Sequence, residues 1–197
     1  ATLRVLLQGK ADVNQQDESG HSALAWAAFA IRNDDSGAQS PVDAVNVLLA
    51  AGADVNAKDK SGRSILMNAV NAGNADVVRA LLARAPDVNV SNQSPGTATA
   101  LMIAAWTGRA DIVSSLLEHG ADATLKDPFG RTALALAALN GHTAVVETIL
   151  AKAGKTNPVD LGGADALASA AGAGDLAAVR ALLAKGSARA AFSRRGG

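Results

Sequence analysis

A leucine that opens a short run of small apolar residues recurs five times along this chain of 197 residues, and its spacing constrains the fold more than any other feature. Successive copies are separated by 42, 35, 33 and 33 residues. A period of this length indicates structural units that stack side by side, because one such unit cannot bury its apolar face alone. The five leucines are Leu24, Leu66, Leu101, Leu134 and Leu167.

A second apolar segment follows each leucine at a nearly constant distance. Counting from the third residue after the leucine, an apolar pair begins 12 residues later in four copies and 21 residues later in the first copy. The first copy therefore holds nine additional residues, which we assign to the polar segment from Ile31 to Ser40. The pairs are Leu48-Leu49, Leu81-Leu82, Leu116-Leu117, Ile149-Leu150 and Leu182-Leu183.

Residues suited to the two ends of a helix flank each small-residue segment. Two residues before the leucine stands a side chain whose oxygen can accept a hydrogen bond from the free amides of a helix start, namely Ser22, Ser64, Thr99, Thr132 or Asp165. Where the segment must end stands a glycine, which tolerates a positive φ angle, namely Gly73, Gly108, Gly141 or Gly174. Each copy is therefore predicted to be a helix-turn-helix unit.

With these features the chain resembles the ankyrin repeat family, from about Thr2 to about Gly186. The resemblance rests on GADVNAKDKSGRSIL (52–66), GRADIVSSLLEHGADATLKD (108–127) and NGHTAVVETIL (140–150). It implies an all-α solenoid of helix-turn-helix units joined by short hairpin-like loops. The family's Thr-Pro-Leu-His helix start is never complete here, so we expect apolar packing to contribute more to cohesion between repeats.

The repeats predict one domain over residues 1–188 and a flexible basic tail over 189–197. The domain is divided into a partial repeat, 1–14, and fuller repeats at 15–56, 57–89, 90–124, 125–157 and 158–188. The partial repeat supplies only a second helix. We therefore expect apolar surface at this end of the domain, unless residues upstream of Ala1 cover it.

Composition disfavours several classes of function. The 18 basic and 18 acidic residues balance, so neither nucleic acid nor an anionic membrane is an expected partner. The absence of cysteine excludes thiolate metal sites and a cysteine nucleophile. His21, His119 and His142 belong to different repeats, which argues against a metal or catalytic role. We predict a non-enzymatic protein without a cofactor, in the cytoplasm rather than exported.

The family resemblance also implies where a partner would bind. Ankyrin proteins present a concave surface formed by the hairpin tips and the first helices, including the residues just before the glycine that ends each first helix. On this basis the predicted partner-binding residues are Phe29, Arg63, Asn71, Trp106, Thr107, Phe129, Arg131, Leu139 and Asn140. Exposed aromatic and arginine side chains are typical of binding hot spots. Trp26, by contrast, is predicted to lie in the core between repeats.

We therefore expect a monomeric module that binds another protein through its concave face, as an inhibitor, an immunity protein or a scaffold. The alternative is an ankyrin domain of a larger protein whose catalytic or other activity lies upstream of residue 1. The sequence names neither the partner nor the organism.

Overall fold

The computed structural model of the protein describes residues 11–30, 40–92, 97–152 and 161–186. Within these ranges it contains ten α-helices and no strand, and two isolated β-bridges close loops at Gln16–Ser22 and Lys58–Ser64. The prediction of an all-α fold is confirmed. The predicted tail and most of the predicted partial repeat and insertion lie outside the described residues. The chain divides into two compact units, residues 1–92 and 93–197.

Unit 1 contains four described helices, which pair as first and second helices of two repeats. The first helix of each repeat packs on its own second helix, and like helices of neighbouring repeats also pack on each other. The helices are α1 (Ala23–Phe29), α2 (Pro41–Ala50), α3 (Ile65–Ala72) and α4 (Ala75–Leu82).

Unit 2 repeats this arrangement with six described helices. The first helices form one layer, in which α7 packs against both α5 and α9, and the second helices form the other, in which α8 packs against α6 and α10. The six helices are α5 (Ala100–Trp106), α6 (Ala110–Glu118), α7 (Ala133–Leu139), α8 (Thr143–Lys152), α9 (Gly163–Gly172) and α10 (Leu176–Ala184).

Four of the five predicted helix caps are present. The hydroxyl of Ser22, Ser64, Thr99 or Thr132 accepts a hydrogen bond from the backbone N–H three residues on, at 3.2–3.3 Å. The prediction for Asp165 was wrong. Helix α9 begins earlier, after Gly162 in the left-handed conformation, so Asp165 lies in its first turn and not at its cap. There its charge is favourable to the helix dipole.

The residue that follows helix α4 has a backbone conformation that is unusual for any residue other than glycine. Ala85 follows α4 with a φ of 49°, at the repeat position that Gly52 and Gly120 occupy with φ values of 89° and 87°. An L-residue with a side chain is less stable than glycine in this conformation by roughly 1 kcal/mol. The helix of this repeat therefore ends as the others do, although alanine itself disfavours the left-handed conformation.

Small side chains allow the first helices to pack closely. In α7 every residue from Ala133 to Ala138 is buried, and four of these six are alanine. Among the described glycines, Gly108 is the one whose missing side chain admits a neighbouring ring: with φ at 73°, an added Cβ would lie 2.7 Å from Nδ1 of His142. The His142 ring is held there by a contact of 3.0 Å between its Nε2 and the carbonyl oxygen of Trp106.

Trp26 does not lie in the core, so that prediction was wrong. Its side chain is 57% exposed, whereas Ile103 and Leu136, at the same repeat position, are buried. The physical reason is its neighbours: among the described residues α1 packs on α2 and α3, and no described first helix precedes it. The indole Nε1 instead donates a hydrogen bond of 2.9 Å to Oδ2 of Asp17.

Candidate partner-binding surface

Three loops between repeats share one turn built around an aspartate, and we call them turns 1, 2 and 3. In each, the aspartate carboxylate accepts hydrogen bonds of 2.8–3.0 Å from the backbone N–H groups two and four residues on. A glycine with positive φ stands three residues after the aspartate. The turns are Asp17 to His21, Asp59 to Arg63 and Asp127 to Arg131.

Turns 1 and 2 pack directly against each other within unit 1. The backbone N–H of Lys60 donates to the carbonyl oxygen of Ser19 at 3.2 Å. A Cβ on Gly20 would lie 2.9 Å from the Lys60 nitrogen, so the close approach requires glycine. Their tips consequently form one continuous edge of unit 1.

The carboxylate of Asp17 is stabilised in its charged form by this turn. The backbone N–H of His21 is the largest cause, the indole N–H of Trp26 is the second, and together they hold the pKa of Asp17 below its ordinary value. Hydrogen bonds donated to a carboxylate favour ionisation, which explains the direction. Turn 1 therefore keeps a negative charge beside Trp26.

In turn 3 the arginine is bound by its own turn. Nε and Nη2 of Arg131 donate to Oδ2 of Asp127 at 2.9 and 2.8 Å, and the Asp127 side chain is fully buried. The guanidinium also stacks over the ring of Phe129, with its Cζ 5.0 Å from the ring centroid. The Phe129 ring is nevertheless 70% exposed. Turn 3 therefore presents an aromatic ring that is held in place from behind.

In turn 2 the arginine has no such partner. Oδ2 of Asp59 lies 3.5 Å from Nε2 of His21, not against the guanidinium. Nε and Nη2 of Arg63 are enclosed and have no hydrogen-bond partner among the described residues. Turns 2 and 3 have the same sequence pattern but use their arginines differently.

Two apolar side chains stand at the ends of neighbouring first helices in unit 2. Trp106 ends α5 and is 41% exposed, and Leu139 ends α7 and is 47% exposed. The polar residues that follow them are also exposed but are tied to the helices. The Thr107 hydroxyl donates to the Ile103 carbonyl at 2.8 Å, and the Asn140 side chain donates to the Leu136 carbonyl at 2.8 Å. The apolar pair is therefore the more available part of this helix end.

The remaining predicted residues lie in unit 1. Phe29 ends α1 and is 43% exposed, and Asn71 is exposed near the end of α3. Phe29 and Arg63 line the same pocket, together with Trp26. Unit 1 thus brings together Phe29 and Arg63, and unit 2 contains Trp106, Thr107, Phe129, Arg131, Leu139 and Asn140 at turn 3 and at first-helix ends.

Comparison with known protein families agrees with this architecture. A family model described as ankyrin repeats, in three copies, matches residues 36–127 and again residues 121–190. The two matches together cover well over half of the chain. The chain belongs to the ankyrin repeat family. The resemblance noted in its sequence is confirmed, and the family as a whole consists of protein–protein interaction modules that are typically non-catalytic.

Two further properties bear on an ankyrin protein's mode of action. Across the described ranges, no three His, Asp or Glu residues cluster as metal ligands would. None of the helices described is both long and apolar enough to cross a bilayer.

Sequence reasoning missed several residues at these ankyrin turns. Asp17 and Asp59 hold the turns, and Trp26, Asn68 and His21 line the pocket beside Arg63. The recurrence of aspartate four residues before His21, Arg63 and Arg131 was a visible signal for the turns. No comparable signal marked Asn68, since it occupies a position that holds an apolar residue in α5 and α7.

Proposed function

We propose that the protein is a non-catalytic module that binds another protein through its hairpin turns and the ends of its first helices. The observation that carries this proposal is the exposure of large apolar side chains at those positions: Phe29, Trp106, Phe129 and Leu139. The buried core is complete without them. Exposed aromatic residues that a scaffold does not require are characteristic of binding hot spots.

Rigidity supports the same proposal. Trp106 and Leu139 stand on helices whose other residues are largely buried, and the Phe129 ring is fixed by the Arg131 guanidinium. A surface that is ordered before binding loses little conformational entropy when a partner docks. We propose the role of an inhibitor, an immunity protein or a scaffold, all of which act by binding alone.

A cross-linking experiment tests this surface. A photoreactive amino acid is placed at position 106 in one sample and at position 176 in another, and cross-linked proteins are identified by mass spectrometry. Leu176 is a suitable control because it is also exposed and apolar but lies at the start of α10, a second helix. We expect a specific partner from position 106 and not from position 176.

The identified partner then allows a quantitative test. Trp106→Ala combined with Leu139→Ala should weaken its binding at least about a hundredfold, since each hot-spot truncation costs about 2 kcal/mol or more. Leu176→Ala should leave the affinity unchanged. Equal affinity for the wild type and the Trp106/Leu139 double variant, with both folded by circular dichroism, would disprove the proposed surface.

A further inference from the structure

Unit 1 contains a pocket between turns 1 and 2 and the helices α1 and α3. Its volume is about 310 Å³, which is at the small end of ligand pockets and suits one or two side chains. Its lining includes both apolar and polar side chains. The residues that define it are His21, Trp26, Phe29, Asp59, Arg63 and Asn68.

Arg63 brings two unused hydrogen-bond donors to this pocket. Its Nε and Nη2 are enclosed without a partner among the described residues. A buried donor without an acceptor is unfavourable, and more so when it is charged. Any acceptor that reaches the guanidinium therefore gains both the new bonds and relief of this penalty.

Turn 3 shows which chemical group accepts hydrogen bonds from an arginine at this position of the turn. The same two nitrogens of Arg131 hold one carboxylate, that of Asp127, at 2.8–2.9 Å. Both nitrogens donate to the same oxygen, Oδ2 of Asp127, and two charge-assisted hydrogen bonds make this pairing strong. In turn 2 the equivalent carboxylate, that of Asp59, faces His21 instead and leaves the edge of the guanidinium vacant.

We infer that the pocket binds an aspartate or glutamate side chain of the partner protein, with an adjacent apolar residue of that partner against Trp26 and Phe29. This inference rests on the proposed function, because it names the chemistry of the proposed partner at the turns and first helices of unit 1. Because Nε and Nη2 of Arg63 are enclosed, this binding requires the side chain to turn them toward the pocket. The incoming carboxylate then takes the position that Asp127 has relative to Arg131.

The surrounding charges favour a carboxylate over a phosphate. Asp59 lines the pocket and Asp17 lies beside Trp26, so two negative charges are already close to the site. A phosphate group carries up to two negative charges near neutral pH, and a carboxylate carries one. The repulsion is therefore smaller for a carboxylate, and the aromatic side of the pocket suits a side chain flanked by apolar residues.

An array of capped octapeptides tests the assignment directly. The central residue is Glu, Gln or phosphoserine, and its neighbours are Leu, Phe or Ala. We expect a subset with central Glu to bind at least tenfold more tightly than the matched Gln peptides, as measured by calorimetry on the best sequence. Absence of any Glu-dependent binding, or tighter binding of the phosphoserine peptides, would overturn the inference.

Matched variants assign the effect to turn 2. Arg63→Gln should reduce the affinity for the Glu peptide at least tenfold, and Arg63→Lys should do nearly the same because it keeps the charge but loses the planar pair of donors. Arg79→Gln is the control, since that arginine lies on α4, outside the pocket, and pairs with Asp76. Full affinity in Arg63→Lys, or an equal loss in Arg79→Gln, contradicts the assignment. Circular dichroism establishes that each variant is folded.

The outcomes also separate this inference from the proposed function. If binding of the partner depends on Trp106 and Leu139 but not on Arg63, the proposed surface is supported and the carboxylate pocket is contradicted. If binding depends on none of these residues, both proposals are contradicted.

Discussion

Turns 2 and 3 share the same backbone hydrogen bonds but differ in the partner of their arginine. Both place an aspartate that accepts two backbone N–H groups, and both carry a glycine and then an arginine. In turn 3 the carboxylate and the guanidinium satisfy each other. In turn 2 a histidine from turn 1 lies beside the carboxylate and the guanidinium has no partner in the described structure. The same turn can thus hold an arginine in one repeat and leave it without an ion pair in another.

The largest expected effect comes from removing the two aspartates. Asp127→Ala leaves two backbone N–H groups and the Arg131 guanidinium without acceptors, so we expect a loss of roughly 3 kcal/mol in the free energy of unfolding. Asp59→Ala removes the acceptor of two backbone N–H groups and the contact with His21 but breaks no arginine pair, and should lose roughly half as much. Urea unfolding combined with amide hydrogen exchange in each turn measures this, since stacked repeats can unfold separately. Equal losses would mean that the two turns do not differ as described.

Replacing the arginines by methionine should give effects of opposite sign. Arg131→Met removes two charge-assisted hydrogen bonds and leaves the buried Asp127 carboxylate without the guanidinium, so we expect a loss of about 1–2 kcal/mol. Arg63→Met replaces unpaired donors by an apolar chain and should stabilise by up to about 1 kcal/mol. Thermal denaturation followed by circular dichroism compares the two. A loss of stability in Arg63→Met would show that its guanidinium has a partner in solution.

Substitution of the turn glycines should destabilise turns 2 and 3 equally. The difference in stability between the turns would then come from their arginines. Gly62 and Gly130 have φ angles of 76° and 78°, and an added Cβ meets at most an ordinary contact at 3.9 Å. Gly62→Ala and Gly130→Ala should each lose about 1 kcal/mol, from the left-handed backbone alone. Urea midpoints provide the comparison. Values that differ widely would place part of the difference between the turns in the backbone.

The smallest effect concerns the pH dependence of turn 1. The pKa of Asp17 is lowered in the folded protein, first by the His21 N–H and then by the Trp26 indole. The unfolded chain then takes up its proton first as the pH falls. The stabilisation from Asp17 is therefore complete above the ordinary aspartate pKa and is lost as the pH falls through the lowered value. Carboxyl NMR titration should find this pKa below that of a free aspartate, and Trp26→Phe should raise it. An unchanged value in Trp26→Phe would contradict the second cause.

The repeat period predicted the helices and most of their ends because these depend on local chemistry. The Thr132 hydroxyl accepts from the N–H of Ala135 in its own helix, and Gly141 follows the same helix with a φ of 69°. Asp165 failed as a cap because Gly162 allows α9 to begin earlier. Asp165 occupies the same repeat position as the other caps, but the turn before it differs from theirs.

Contacts between repeats were not predictable in the same way. Trp26 shares its repeat position with buried residues and is exposed because of what packs beside it. Arg63 and Arg131 each end a five-residue pattern that begins with aspartate and has glycine at its fourth position, yet Asp59 lies beside His21 whereas Asp127 holds Arg131. Sequence periodicity identifies positions within a repeat, whereas the charge partner at each position depends on the adjacent repeat.

The exposed positions of the two tryptophans make the protein its own optical probe. Trp26 lies in unit 1 and Trp106 in unit 2, and both rings face the solvent at candidate binding positions. Trp106→Phe leaves the emission of Trp26 alone, and Trp26→Phe leaves that of Trp106. A partner that covers one ring shifts its emission to shorter wavelength and protects it from a soluble quencher. Two single-tryptophan chains can therefore tell which unit a partner engages, without any attached dye.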